Sequence, residues 1–441
     1  MNEKIVRRLI VGVLIILAVV VFFYVKYKNG GKSDIGAEKD DVVQVVPEVD
    51  TETVDSEKPL PEKETSEIVS DEEPERTDEQ SSDSTTVSET VSQTVSDVMS
   101  GMTLREKICQ MIIVHPSKLT GVREDTEAGE TTRDALEKYP VGGLIYDASN
   151  FVSVEQTKNM IANAQSYSAI PLLITLDEEG GRVNRLMHTL NTTYIGPMYD
   201  YRDDGEDRAR ENAHTIAADI AELGFNLDLA PVADVWSNPA NKVIGNRAYS
   251  DDFKQAAELI PAAVEGFHEG GVACTLKHFP GHGDTSEDSH YGSAYVDKTL
   301  SYLKKHELRP FRAGIEAGAD CVMMGHLIVL DVEDKPALFS YKLVTELLRE
   351  KMGFDGVVMT DSLEMKAMTD HYGERDMAVN AVKAGVDVLL MPSSLDETID
   401  ALSEAVESGE ISEERINESV ERILTLKDKY GLFDDADRND R

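Results

Sequence analysis

Eight short apolar runs rich in β-formers, alternating with amphipathic stretches, constrain this chain more than any other feature. They are "MIIV" (Met111 to Val114), "GGLIYD" (Gly142 to Asp147), "LLITLD" (Leu172 to Asp177), "NLDLAP" (Asn226 to Pro231), "ACTLKH" (Ala273 to His278), "CVMMGH" (Cys321 to His326), "GVVMTD" (Gly356 to Asp361) and "VLLMPS" (Val388 to Ser393). Between them lie helical patterns such as "DRARENAHTIAADIAELG", "FKQAAELIPAAVEGFHEGG", "YKLVTELLREKMG" and "ERDMAVNAVKAG", several closing on the glycine that a helix C-terminus favours. Strands that alternate with helices pair in parallel through crossover connections. Eight such units within residues 95–441 predict a (β/α)8 TIM-type barrel as one domain. A doubly wound open sheet is the other arrangement that the same alternation allows.

In a barrel of this kind the chemistry gathers at the C-terminal ends of the strands. Asp147, Asp177, Lys277 with His278, His326 and Asp361 all terminate apolar runs. A purely structural barrel would end its strands on any turn residue, so these ionisable ends predict a polar pocket at the mouth.

The chain before the barrel is of a different kind. Residues 1–32 contain the apolar run Leu9 to Val25, with Lys4, Arg7 and Arg8 before it and Lys26 and Lys28 after it. Roughly 17 to 25 helical residues cross a bilayer, so this run predicts a transmembrane helix. No A-x-A-like cleavage site follows promptly, and the first cysteine is Cys109, so the reading is an uncleaved signal anchor rather than a cleaved signal peptide or a lipoprotein leader. Residues 33–94 predict a disordered acidic linker, because the stretch 33–92 has no aromatic residue and carries 20 acidic against four basic side chains. The expected location is a cell membrane, single-pass, with the barrel on the extracytoplasmic side.

A formal net charge of −39 with no basic stripe excludes nucleic acid as a partner and would repel anionic lipid. Cys109, Cys274 and Cys321 sit singly in apolar runs without C-x-x-C spacing. They read as buried small hydrophobes, neither a zinc site nor a disulfide framework.

The segment "KHFPGHGDTSEDSH", Lys277 to His290, follows the fifth strand and collects histidines and acids around two glycines. Three chemistries compete for it. A metal could use His278, His282, Asp284, Asp288 or His290, although a Gly-rich loop lacks the helix that places two histidines on one face. His282 and Asp284 could simply bond to backbone groups. Asp288 and His290 could work as an acid–base pair, since a carboxylate beside an imidazole fixes its tautomer and raises its pKa.

This segment, with "LDEEGGRVNR" upstream, "GNRAYS" between and "MTDSLEM" downstream, resembles the β-N-acetylglucosaminidases of glycoside hydrolase family 3 over about Met99 to Phe433. The resemblance implies a (β/α)8 catalytic barrel and removal of terminal non-reducing N-acetylglucosamine, with retention, from peptidoglycan-derived saccharides or muropeptides. It makes Asp361 the nucleophile and His290, paired with Asp288, the general acid/base. It makes Asp177, Arg185, Arg247, Lys277 and His278 substrate-binding residues, with no cofactor and no metal. A retaining glycosidase needs a carboxylate at the anomeric carbon and a proton donor at the leaving oxygen, and the family supplies the donor as histidine. Arg185, read as helical, has a structural alternative in pairing with Glu178 or Glu179. Ser362 follows the nucleophile where many relatives have alanine, and no further C-terminal domain is expected after "ERILTLKDKYGLF". Phosphorolysis, β-glucosidase specificity, a metal-dependent hydrolase and an inactive saccharide-binding barrel are the alternatives.

Overall fold

The computed structural model describes residues 92–123, 125–285 and 294–434. All of them lie in one unit, Ser84–Arg441. Each of the eight apolar runs contains one strand: β1 (Ile112–Val114), β2 (Gly143–Ile145), β3 (Leu173–Leu176), β4 (Leu227–Asp228), β5 (Ala273–Phe279), β7 (Cys321–Met324), β9 (Val357–Thr360) and β10 (Leu389–Leu390). They pair in parallel in the order β10-β1-β2-β3-β4-β5-β7-β9. A parallel bridge between Met359 and Val388, with Thr360 N–H donating to Val388 C=O at 3.0 Å, joins the two ends of that order. The ring excludes the open doubly wound sheet.

The strands are buried on both faces, as a parallel sheet covered by helices must be. The helical patterns form where the sequence places them, at Glu206–Leu223, Phe253–Glu269, Lys342–Lys351 and Glu374–Ala384. Glu206–Leu223 stops at Gly224, whose φ of 102° is the left-handed conformation that glycine adopts without a Cβ clash. Asp252 opens Phe253–Glu269 by accepting from the N–H groups of Lys254 and Gln255.

One pairing is invisible in the apolar pattern. β6 (Ala294–Val296) and β8 (Leu327–Val329) form a separate two-stranded parallel ladder. The anchor Leu9 to Val25 and the acidic linker lie outside the described residues, among which no helix is long and apolar enough to cross a membrane.

Candidate active site

Six of the eight residues singled out from the sequence surround one cavity of about 560 Å³ at the C-terminal ends of the strands: Asp177, Arg185, Arg247, Lys277, His278 and Asp361. Asp288 and His290 lie outside the described residues. Asp147, the strand-end acid after β2, is not in this cavity. It caps the turn Ala148–Asn150 and stands 3.5 Å from His115, which holds its carboxyl well below the usual range. Its polar character serves a local turn, the ordinary use of aspartate.

The three consecutive acids after β3 go to three different places. Asp177 accepts from Lys277 Nζ at 2.7 Å and from Arg185 Nη2 at 3.2 Å. Glu178 accepts the Arg185 backbone N–H at 2.6 Å, and burial pushes its carboxyl up to about 7. Glu179 takes Arg247 in a two-pronged contact, 2.7 Å at each prong, and also Lys277 at 2.6 Å. Burial opposes the Glu179 charge, but the Arg247 and Lys277 cations outweigh it and hold the carboxyl far below its ordinary value. The same acids hold the Lys277 ammonium charged against its own burial. Arg185 sits in the loop before the short helix Met187–Leu190 rather than within a helix, and its guanidinium turns to Asp177 instead of Glu178 or Glu179.

Lys277 and His278 both line the cavity although neighbouring strand residues ordinarily point to opposite faces. The pairing of β5 with β7 slips between Leu276 and Phe279, and such irregularities re-aim side chains. His278 is then fixed from behind. Its Nδ1 lies 2.6 Å from Asp234 Oδ2, and the other Asp234 oxygen accepts the His282 N–H at 2.6 Å. Asp234 is 1% exposed, yet His278 and His282 keep it ionised despite that burial.

His282 also lines the cavity, and Thr285 Oγ1 lies 2.7 Å from its Nδ1. Asn241 donates to the His282 carbonyl at 2.8 Å, while Asn238 donates to the carbonyls of Asp284 and Thr285. The loop after β5 is thereby laid against the loop after β4. At Gly283 a Cβ would sit 1.6 Å from the Val235 carbonyl oxygen, so only glycine fits. Among the described residues the Asp284 carboxylate pairs with Lys298, at 3.3 Å, rather than with backbone.

Asp361 follows β9 directly. Its N–H donates to the Met324 carbonyl at 3.0 Å, and its Oδ1 accepts the Ser362 N–H at 2.7 Å. Burial raises its pKa, but the His326 and His278 imidazoles, that N–H and the Lys277 ammonium together hold the carboxyl below its ordinary value. His326 is itself anchored by its Nε2, 2.8 Å from the Ser362 carbonyl oxygen. The cavity thus presents an ionised carboxylate among cations and acceptors, the complement that a hydroxyl-rich neutral molecule needs.

Glu179 and Asp234 are the site residues missed from sequence, whereas His282 was considered there only as a metal ligand or a backbone-bonded residue. Glu179 stands inside the quoted "LDEEGG", and Asp234 follows the fourth run by three residues, but neither position reveals its partner.

A closed parallel barrel with an ionised acid at its mouth has the architecture of the (β/α)8 class, whose active sites lie at the C-terminal ends of the strands. Residues 103–426 match the glycosyl hydrolase family 3 N-terminal domain, and the chain belongs to that family of glycoside hydrolases. It is 33% identical over 326 residues to beta-hexosaminidase A of Pseudoalteromonas piscicida, covering 67% of this chain and 54% of that protein. It is 36% identical over 286 residues to the beta-hexosaminidase of Stenotrophomonas maltophilia, covering 63% of this chain and 84% of the relative. Among solved structures, a glycoside hydrolase family 3 beta-N-acetylglucosaminidase from Paenibacillus sp. superposes with a TM-score of 0.71 at 39% identity, over 76% of this chain and 64% of the other. The chain therefore spans about half the first relative and most of the second.

Proposed function

We propose that this protein is a retaining exo-β-N-acetylglucosaminidase that removes terminal N-acetylglucosamine from peptidoglycan-derived saccharides. Asp361 attacks the anomeric carbon to form a glycosyl-enzyme, and His290, oriented by Asp288, protonates the leaving oxygen and later activates water. Asp177 accepts from sugar hydroxyls. Arg185, Arg247, Lys277 and His278 donate to hydroxyl oxygens or hold the acids that do the accepting.

The observation that carries this reading is the Asp361 carboxylate, set at the cavity and kept ionised by the His326 and His278 imidazoles and Lys277. The hexosaminidase names of the relatives support the sugar. The run Leu9 to Val25 supports tethering to a membrane, with the barrel carried outward on the acidic linker. Incubation with N-acetylglucosaminyl-muramyl saccharides, with and without phosphate, tests the chemistry: free N-acetylglucosamine appearing first as the β-anomer is expected. An initial α-product would refute retention, and sugar phosphate would make the enzyme a phosphorylase. Fractionation of cells making the full chain, or the chain without residues 1–92, tests the anchor, since only the full chain should sediment with membranes.

A further inference from the structure

At the end of the barrel opposite the cavity, three elements bring together a histidine, a thiol and a carboxylate. His268 stands in the last turn of Phe253–Glu269, Cys274 is the second residue of β5, and Asp320 immediately precedes β7. His268 Nε2 lies 3.0 Å from Asp320 Oδ2 and 4.0 Å from Cys274 Sγ. One nitrogen, one sulfur and one oxygen ligand atom thus fall within 4.8 Å of one another, and no other such group of three occurs among the described residues. Tetrahedral zinc, with bonds of 2.0–2.3 Å to these atom types, separates its ligands by about 3.4 Å, a value the observed spacings bracket.

We propose that His268, Cys274 and Asp320 form a binding site for a borderline-soft divalent cation of the Zn²⁺ type, which ties the helix Phe253–Glu269 to the starts of β5 and β7. The donor set is the mixed nitrogen, sulfur and oxygen set that selects zinc over magnesium or calcium. Asp320 is already oriented by its other contacts: Lys429 Nζ at 2.6 Å on Oδ1, with Tyr430 OH at 2.8 Å and Cys274 N–H at 3.0 Å on Oδ2. Supporting bonds of this kind fix a metal-binding carboxylate. Cys274 and Asp320 are buried, whereas the His268 side chain is 28% exposed, which leaves an approach from solvent and a side for a water ligand.

Binding exchanges protons for the cation. The imidazole proton moves to Nδ1 so that Nε2 can coordinate, and the Cys274 thiol releases its proton to solvent. Coordination needs the thiolate, so binding releases that proton and affinity should rise with pH. The Lys429 ammonium opposes a second cation, but its side chain is 52% exposed, so solvent screens that repulsion. The sequence hid this site because the ligands are spread over 52 residues with none of the short spacings of a zinc motif.

The test uses the full-length metal-free protein and Co²⁺ as probe, because a cobalt–thiolate bond gives a near-ultraviolet charge-transfer band that histidine and carboxylate sites lack. One equivalent of Co²⁺ should produce the band, and Zn²⁺ should abolish it. Cys274→Ser and His268→Ala should each lose the band while keeping the wild-type far-ultraviolet circular dichroism, whereas Asp361→Asn, altered only in the cavity, should keep it. Zn²⁺ should raise the melting temperature of wild type and of Asp361→Asn but not of His268→Ala, whose partly exposed position makes a folding defect avoidable. A wild-type protein without the band, or a band that survives Cys274→Ser, would overturn the proposal and leave the cluster as a hydrogen-bonded anchor for the terminal helix.

Discussion

Glu179 and Arg247 face each other in a two-pronged ion pair whose side chains are 3% and 10% exposed, with Lys277 on the same carboxylate. The pair joins the loop after β3 to the turn Gly245–Arg247 that follows β4, and through Lys277 it reaches β5. Two barrel loops and strand β5 therefore share one buried charge cluster that borders the cavity.

Replacing Glu179 by glutamine should be among the most damaging isosteric changes in the protein. It would leave Lys277 buried with Asp177, and Arg247 buried with only the charges of Asp234 and Asp177 acting without direct contact; breaking a buried pair from one side costs about 3–5 kcal/mol. Urea unfolding of Glu179→Gln measures this directly. A loss below about 1 kcal/mol would show that water reaches the cluster and screens it.

Asp361→Asn removes the charge proposed to attack the anomeric carbon, with almost no change in volume. The fold should persist, and kcat/KM should fall by at least about a thousandfold, equivalent to roughly 4 kcal/mol of transition-state stabilisation. Because the wild-type carboxyl is held below its ordinary value of 3.8, it stays ionised as pH falls toward that value. Any acid limb of kcat/KM above about pH 4 therefore belongs to another group. A variant within tenfold of wild type would remove Asp361 from the nucleophile's role.

Glu307 gives a pH dependence of stability with the opposite sign. It is 2% exposed, its carboxyl oxygens have no hydrogen-bond partner among the described residues, and Asp284 and Lys298 are the charged groups that act on it. Burial raises its pKa from 4.5 to about 7. A carboxyl with a raised folded-state value favours folding in its neutral form, fully so below pH 4.5, and loses that contribution as pH rises to about 7. At 1.36 kcal/mol per pKa unit, with some solvent screening, the loss is roughly 2–3 kcal/mol. Stability measured from pH 4.5 to 8 should therefore fall more steeply in wild type than in Glu307→Gln. Parallel curves for the two proteins would rule out this titration.

The barrel was legible because a buried parallel strand must be apolar on both faces and must alternate with a helix, so each of the eight runs marks one strand even where β4 keeps only Leu227 and Asp228. The strand ends were a coarser guide. Asp177 and Asp361 reach the cavity, but Asp147 caps a turn, because aspartate serves both purposes and the pattern does not separate them. The partners of "LDEEGG" were hidden for a different reason. Those acids lie beyond β3, where side-chain alternation no longer applies, and Glu179 meets Arg247, 68 residues away, only after the ring closes. The ladder of β6 and β8 escaped notice because it lies outside the strand–helix alternation by which the barrel strands were recognised.

The role of His290 can be tested through the leaving group. A proton donor matters most when the departing alcohol is a poor leaving group, because the glycosidic oxygen must then be protonated as the bond breaks. A disaccharide is such a substrate, whereas a nitrophenolate leaves without help. His290→Ala should therefore retain first-step reactivity on activated aryl glycosides while losing most activity on disaccharides. The glycosyl-enzyme should accumulate on Asp361, since in the proposed mechanism His290 also activates water in the second step. Rapid quenching followed by intact-protein mass spectrometry would detect it as one added sugar. Asp288→Ala should show the same pattern more weakly, because its proposed role is to orient and tune the imidazole without itself transferring the proton. Equal first-step losses on both substrate types would exclude His290 as the donor and leave it a binding role.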